Sequence, residues 1–239
     1  MPVVVNLGNH ETAILDDMQS FLARADQAGI RVISNLVDRR SGRFFAPYAD
    51  RLGLGGIDIA LMGLAATNPF VYRAPVRETL TFLDTAQFVA DAREDVQAGA
   101  DLGVIMSHAG VSPDKTFIDT LPAGTVLQGA HDHLAMDLVH NGVTYVHGGS
   151  WGTQIGVMTL TQGADGVSVA YDTAVVDPVA GDPALGRRLP IVTRRAPLCR
   201  RLGAAGRALT GRSHDTYIAG SPAAPRSAGP CPAGTPDRR

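Results

Sequence analysis

Cysteine, aromatic residues and long apolar runs are all scarce in this 239-residue sequence. The only cysteines are Cys199 and Cys231, so the body of the chain before them has no thiolate metal ligand, no disulfide and no cysteine nucleophile. No apolar run reaches about 18 residues, so no membrane-spanning helix is predicted. No signal peptide is recognisable either, because strand-like sequence begins at Pro2 without a basic segment before it. The sequence therefore argues against a disulfide framework, a zinc–thiolate site and a transmembrane helix.

Charge is distributed unevenly along the chain, although the net charge is only −2. Residues 187–239 contain eleven arginines and two aspartates, whereas the preceding residues contain 10 basic and 21 acidic residues. A basic tail of this kind can bind nucleic acid or anionic lipid, but a solvated, disordered tail is the commoner outcome and is our prediction. Nucleic acid is therefore not an expected partner.

Apolar strands alternate with amphipathic helices over the first 130 residues, which predicts an α/β fold. Predicted strands span 2–7, 30–36, 57–64, 102–107 and 125–128, predicted helices span 13–28, 81–98 and 113–120, and predicted loops span 37–56 and 68–75. Thr81 and Asp84 predict a capping-box-like start for the second helix. Asn141-Gly142 and Asp165-Gly166 predict two later hairpins. We therefore predict one α/β domain at 1–182 and a disordered Arg/Pro/Ala-rich tail at 183–239.

Metal-competent side chains follow three of the predicted strands. Asn9 and His10 come after the first strand, His108 after another, and His131 and His133 after a third. A single histidine is usually an ordinary loop residue, but three of the seven histidines occur at strand ends, in addition to the Asn9-His10 pair. Imidazole nitrogen and amide oxygen suit cations such as Zn²⁺ or Mn²⁺. The pattern predicts a metal site at the carboxyl edge of the sheet.

A serine hydrolase is the competing enzyme class. Gly148-Gly149-Ser150-Trp151-Gly152 fits the G-x-S-x-G nucleophile elbow, which requires a helix after the serine. The following residues, 155–160, instead have the pattern of a strand, and only His214 in the tail could complete the triad. This class is therefore disfavoured.

Three motifs, in order, resemble those of the calcineurin-like metallophosphoesterases: Gly8-Asn9-His10-Glu11, Ser107-His108 and Gly129-Ala130-His131-Asp132-His133. The branch of 5′-nucleotidases and 2′,3′-cyclic-nucleotide phosphodiesterases is the most similar. Further landmarks of that branch are Ile33-Ser34-Asn35-Leu36, Ile59-Ala60-Leu61-Met62-Gly63-Leu64 and the Gly148–Gly152 segment. The resemblance extends over residues 3–175.

The resemblance implies a four-layer α/β/β/α sandwich with two divalent metal ions, Mn²⁺ or Zn²⁺, about 3.5–4 Å apart. Asn9, His108 and His131 would bind one ion, and His133 would bind the other. His10 would be catalytic, stabilising charge on the phosphoryl oxygens during attack by a metal-bound hydroxide. The implied substrate is a small phosphate ester, most readily a nucleotide; the residues that bind the substrate are not identified. Family members are usually periplasmic or extracellular, but this chain shows no export signal.

The sequence departs from the family pattern at two places. The family has Asp-x-His and Gly-Asp motifs before Gly-Asn-His-Glu, and only seven residues precede Gly8. Thr12-Ala13 also replaces the usual Phe-Asp, so Asp16 and Asp17 are the candidate acidic partners of His10. We therefore expect a domain that is truncated at its N-terminus, with weak metal binding and little turnover. The alternatives are a thiosulfohydrolase-like enzyme of the same family and a non-catalytic remnant.

Overall fold

The computed structural model describes residues 2–11 and 18–176; the predicted tail at 183–239 and the first turns of the predicted helix 13–28 lie outside these residues. The strands are β1 (Val3–Asn6), β2 (Ile30–Ile33), β3 (Val37–Asp38), β4 (Ala49–Leu54), β5 (Ile57–Leu64), β6 (Leu80–Thr81), β7 (Leu102–Ser107), β8 (Val126–Gly129), β9 (Ala135–His140), β10 (Val143–Gly148), β11 (Gln154–Gly163) and β12 (Gly166–Val175). The helices are α1 (Met18–Gln27), α2 (Ala74–Arg77), α3 (Thr85–Gln97) and α4 (Val111–Asp114), with short 3-10 turns at Pro69–Val71 and Ile118–Thr120. None of these helices has the length and apolar character needed to cross a bilayer.

A six-stranded mixed sheet forms the centre of the fold, in the order β4-β5-β7-β8-β10-β9. Strands β5, β7, β8 and β10 are parallel, and the edge strands β4 and β9 run antiparallel to their neighbours. The inner strands are near-continuous apolar runs because both of their faces are buried. Since they are parallel, their carboxyl ends lie at one edge of the sheet.

Alternate residues of the inner strands face two different layers. Met62, Ile105 and Leu127 pack with Val89 of α3 on one face. Their neighbours Leu61, Val104 and Val126 pack on the opposite face against Val4 and Ile33 of the parallel β1–β2 pair and against Met158, Leu160, Val167 and Val169 of the β11–β12 hairpin. Val32, on the outer side of β2, packs with Met18, Phe21 and Leu22 of α1. The layers are therefore helix, sheet, sheet and helix, and the predicted fold class is confirmed.

Three local predictions were wrong. Strand β4 lies inside the predicted loop 37–56. The sequence pattern did not indicate this strand, because Ala49–Leu54 has no β-branched residue and pairs with a neighbouring strand on one side only. The predicted helix at 113–120 is divided into α4 and a 3-10 turn. Helix α3 begins at Thr85, not at Thr81, because the Asp84 side chain accepts a hydrogen bond from the Gln87 backbone amide at 2.8 Å and caps it.

Candidate metal centre

The ends of β1, β5 and β7 are joined by the side chain of Asn6. Its amide nitrogen donates to the backbone oxygens of Leu64 and Met106, each at 2.8 Å. Strand β1 belongs to the facing two-stranded sheet, so it does not share a sheet edge with β7 as the sequence pattern predicted. The side chain of Asn6 nevertheless brings the chain that follows β1 next to the carboxyl ends of the central strands.

Asn9 and His108 are in direct contact at this junction. Asn9 Oδ1 lies 2.9 Å from His108 Nε2, although the residues are 99 positions apart. The Asn9 amide nitrogen donates to the Val71 backbone oxygen at 3.0 Å, which turns the amide oxygen towards the histidine. The two donor atoms are therefore close enough for one cation, with ligand bonds of about 2.0–2.2 Å, to contact both. The outer hydrogen bond to Val71 is the kind that fixes a ligand's orientation.

Gly8 gives His108 the space that it occupies. A Cβ atom at Gly8 would lie 2.8 Å from His108 Cε1 and 3.0 Å from Nε2, and real side chains do not approach so closely. The backbone of the Gly-Asn-His-Glu turn therefore passes directly against the imidazole. A glycine is required here for close approach, not for an unusual backbone angle.

Burial keeps the His108 side chain neutral. Burial, followed by repulsion from His131, His10 and His133, lowers the pKa of His108 to about 4, and the Asp132 carboxylate only partly opposes this shift. At neutral pH the imidazole is therefore uncharged, which is the form that binds a cation.

The loop after β8 holds His131 and His133 in left-handed backbone conformations, with φ of 76° and 57°. Non-glycine residues rarely adopt these angles, and they are maintained where surrounding contacts fix them. One such contact is made by Asp132, whose Oδ2 accepts a hydrogen bond from the Val111 backbone amide at 2.6 Å. Asp132 therefore attaches the loop to the start of α4, a role that the sequence did not reveal.

The predicted site residues are brought together to different extents. The ring centroids of His108 and His131 are 5.2 Å apart, so Asn9, His108 and His131 form one neighbourhood. His10 is exposed beside Asn9, and the ring of His133 packs against Trp151 with a centroid distance of 5.2 Å. Within residues 2–11 and 18–176, no three His, Cys, Asp or Glu side chains form a ready ligand set. The assignment of these residues to metals stays a prediction.

Glu11 is one source of the negative charge that the neutral donors lack. The position of a Cβ at Gly8 is 3.1 Å from Glu11 Oε2 and 3.0 Å from His108 Nε2, so the carboxylate lies on the His108 side of the turn. This oxygen is buried and has no hydrogen-bond partner among the described residues. A buried carboxylate oxygen without a partner fits a site that receives a cation. The other acidic candidates, Asp16 and Asp17, lie outside the described residues.

A buried hydrogen-bond network lies under the site and was not predicted. Asp114 accepts hydrogen bonds from the Ser107 hydroxyl at 2.6 Å and the Tyr145 hydroxyl at 2.8 Å. The Tyr145 oxygen is also 3.0 Å from His147 Nε2. Burial raises the pKa of Asp114 to about 6. The network links β7 and β10 just behind the loops that hold His108 and His131.

Ser150 does not have the surroundings of a nucleophile elbow. It lies in the turn between β10 and β11, where its backbone oxygen accepts hydrogen bonds from the Thr153 amide and hydroxyl. A strand follows this turn in place of the required helix. The other residue required for the triad, His214, lies outside the described residues.

Comparison with known proteins gives one related sequence and several similar folds, while no family model matches the chain. An uncharacterised metallophosphoesterase of Bacillus subtilis, YunD, is 28% identical over 181 residues, which are 73% of this chain and 38% of that protein.

Solved structures share the fold at lower sequence identity. A protein from Staphylococcus aureus assigned as a 5′-nucleotidase, solved with alpha-ketoglutarate, has a TM-score of 0.62 and 16% identity over 75% of this chain and 39% of that chain. The sulfate thiohydrolase SoxB of Thermus thermophilus has a TM-score of 0.57 and 18% identity over 66% of this chain and 30% of that chain. This chain therefore spans about two fifths or less of the length of each of these three proteins.

Proposed function

We propose that this chain is a metal-dependent hydrolase of small phosphate esters, with nucleotides as the first substrates to test. The proposal starts from its relation to the calcineurin-like metallophosphoesterases and from its fold, which is that of their 5′-nucleotidase branch. The contact between Asn9 and His108 is the observation that carries the proposal. This contact places an amide oxygen next to a neutral imidazole at the point where three strands end. The turn is packed so closely against the imidazole that no side chain fits at Gly8.

Asn9, His108 and His131 are the residues that would hold a divalent ion, with the buried Glu11 carboxylate in the same turn as Asn9. When bound, such an ion supplies Lewis-acid polarisation of the phosphoryl group and of water. The second predicted ligand position belongs to His133, whose ring lies on the side of the site next to Trp151.

His10 would act on the phosphoryl group itself. It is exposed immediately after the buried Asn9, so it can approach a bound ester without unfolding the turn. Its proposed role is to donate a hydrogen bond to a phosphoryl or leaving oxygen as negative charge develops there. Histidine suits this role because its proton is exchangeable near neutral pH.

A hydrolysis screen of the full chain tests the proposal. Phosphomonoesters, cyclic and linear phosphodiesters and a thiosulfate ester are incubated with added Mn²⁺ or Zn²⁺, and phosphate or sulfate release is measured. We expect release of phosphate from at least one ester that EDTA abolishes and Mn²⁺ restores. Preference for the thiosulfate ester would instead favour the thiosulfohydrolase alternative.

Matched histidine variants locate the activity. His108→Ala and His10→Ala should each lower kcat at least a hundredfold, the usual range for a catalytic or charge-stabilising group. His140→Ala is the control, because His140 lies on β9 and pairs with Asp119 away from the site. Metal-independent turnover, or turnover unaffected by His108→Ala, would contradict the proposal.

A further inference from the structure

Trp151 is the most exposed of the large apolar side chains in the described part of the chain and the only tryptophan in the sequence. Its side chain is 86% exposed, which is costly for so large an apolar ring. Its backbone φ is 57°, an angle that bulky residues rarely adopt. An exposed ring held on a strained backbone indicates a ligand-contact role more readily than a packing role.

The loop that carries Trp151 is attached directly to the candidate metal centre. The Gly149 backbone amide donates to the Leu134 backbone oxygen at 2.7 Å, immediately after His133. Glycines with positive φ lie on both sides, at 80° for Gly149 and 64° for Gly152. The loop geometry therefore fixes the indole next to the histidine loop.

The indole meets the His133 ring at an interplanar angle of 69°, with the centroids 5.2 Å apart. An edge contact of this kind uses little of the ring surface, and the high exposure shows that the rest is open to solvent. The indole therefore contacts His133, the predicted ligand of the second ion, and lies beside the predicted position of the phosphoryl group. Its open surface is available to the organic part of an ester bound there.

We propose that Trp151 is a specificity-determining contact that stacks on a planar aromatic ring in the leaving group of the substrate, such as the base of a nucleotide. This inference rests on the proposed function for the position of the phosphoryl group. Stacking depends on the flat face of an aromatic ring and little on which base carries it. The contact would therefore select esters with an aromatic ring in the leaving group, and not one particular base. Esters of aliphatic alcohols would lack this contact.

Intrinsic fluorescence provides a direct test, because every indole signal of the chain comes from Trp151. The full chain with millimolar Mn²⁺ is titrated with AMP, adenosine and ribose 5-phosphate. We expect saturable quenching by AMP and adenosine and no comparable change with ribose 5-phosphate, which has the phosphate but no base. Equal responses to AMP and ribose 5-phosphate, or no saturable response to AMP, would overturn the proposal.

Variants provide a second readout that does not depend on fluorescence. Equilibrium dialysis should show AMP binding about tenfold weaker in Trp151→Ala and nearly normal in Trp151→Phe, with ribose 5-phosphate binding unchanged in both. Phe70→Ala is the matched control, since Phe70 is 80% exposed but the Arg77 guanidinium already lies 5.4 Å from its ring centroid. Unchanged AMP binding in Trp151→Ala would also overturn the proposal. Base-dependent quenching without turnover of any ester would refute the proposed function and would retain Trp151 as a stacking contact for an aromatic ligand that is not hydrolysed.

Discussion

Single residues at the candidate centre are constrained by very close contacts. Gly8 lies against His108, the Asn9 side chain lies between Val71 and His108, and Asp132 holds the loop of His131 against α4. None of these contacts adds much apolar burial. They fix the orientation of donor atoms, so we expect their loss to affect ligand binding more than folding.

Gly8→Ala is the sharpest single-residue test of this idea. The added methyl group would lie 2.8 Å from His108 Cε1 and displace the imidazole from Asn9. We expect Mn²⁺ affinity, measured by isothermal titration calorimetry, to fall at least tenfold, the usual effect of losing a supporting contact of a metal ligand. Gly53→Ala is the control, because a Cβ at Gly53 meets nothing within 4 Å. Equal affinity in the two variants would show that His108 does not bind the ion.

Asp114 should make stability depend on pH in a predictable direction. Burial raises its pKa from 3.8 to about 6, while Ser107, Tyr145 and the charge of Asp132 are the groups that face it. The folded state therefore retains a proton that the unfolded state loses between about pH 4 and pH 6, and this contribution to stability falls as the pH rises through that window.

Asp114→Asn removes this proton equilibrium and keeps both hydrogen-bonding partners. In the wild type, Asp114 should make the free energy of unfolding, measured by urea titration, decrease between pH 4 and pH 7. In Asp114→Asn the decrease over this range should be smaller by about 2–3 kcal/mol. Asp95→Asn, on the exposed side of α3, should follow the wild type. Identical slopes for Asp114→Asn and the wild type would mean that folding does not raise the pKa of Asp114.

At the scale of elements, the residue that caps α3 is not the residue that the sequence motif predicted. The Asp84 side chain accepts from the Gln87 amide, whereas Thr81 belongs to β6. Asp84→Ala should therefore lower the free energy of unfolding by about 1 kcal/mol, and Thr81→Ala should change it by less than about 0.5 kcal/mol. Urea titrations monitored by circular dichroism measure both. The reverse order would restore the capping box predicted from the sequence.

The sequence was sufficient for the elements that are buried on both faces and for the hairpins at Asn141-Gly142 and Asp165-Gly166, but not for the edge strand β4. The runs in β5 and β7 are apolar apart from Asp58 and Ser107, so their position was predicted correctly. β4 was missed because an edge strand with a pleated, half-exposed surface has no continuous apolar signal. The ends of α3 and α4 depend on which side chain reaches a free amide, and such contacts are not encoded in periodicity.

The candidate centre could be predicted as a set of residue types but not as a geometry. Strand-end positions were enough to select Asn9, His108 and His131. The contact between Asn9 and His108 depends on the facing β1–β2 layer, and the buried Glu11 oxygen depends on the turn after β1. Trp151 had a sequence signal, as the sole tryptophan within a glycine-rich loop, but its closeness to His133 required the structure.

At the scale of the whole molecule, the candidate centre lies between two layers. Asn9 comes from the chain after β1 in one sheet, and His108 and His131 come from the ends of β7 and β8 in the other. The Asn6 side chain already joins these layers through Leu64 and Met106. An ion held by residues of both layers would resist their separation, so metal binding should stabilise the fold as a whole.

Thermal unfolding with and without Mn²⁺ tests this coupling. A ligand at a hundred times its Kd adds about 2.7 kcal/mol, which corresponds to a rise in Tm of about 5–10 °C for a chain of this size. Because the identified donors are mostly neutral, we expect this shift only at millimolar Mn²⁺, and we expect the purified chain to retain less than one ion by mass spectrometry. Asn9→Ala and His108→Ala should each abolish the shift, while His140→Ala should retain it, since His140 lies outside the centre. A shift that survives Asn9→Ala would place the ion elsewhere, and two tightly retained ions per chain would show that further ligands complete the site.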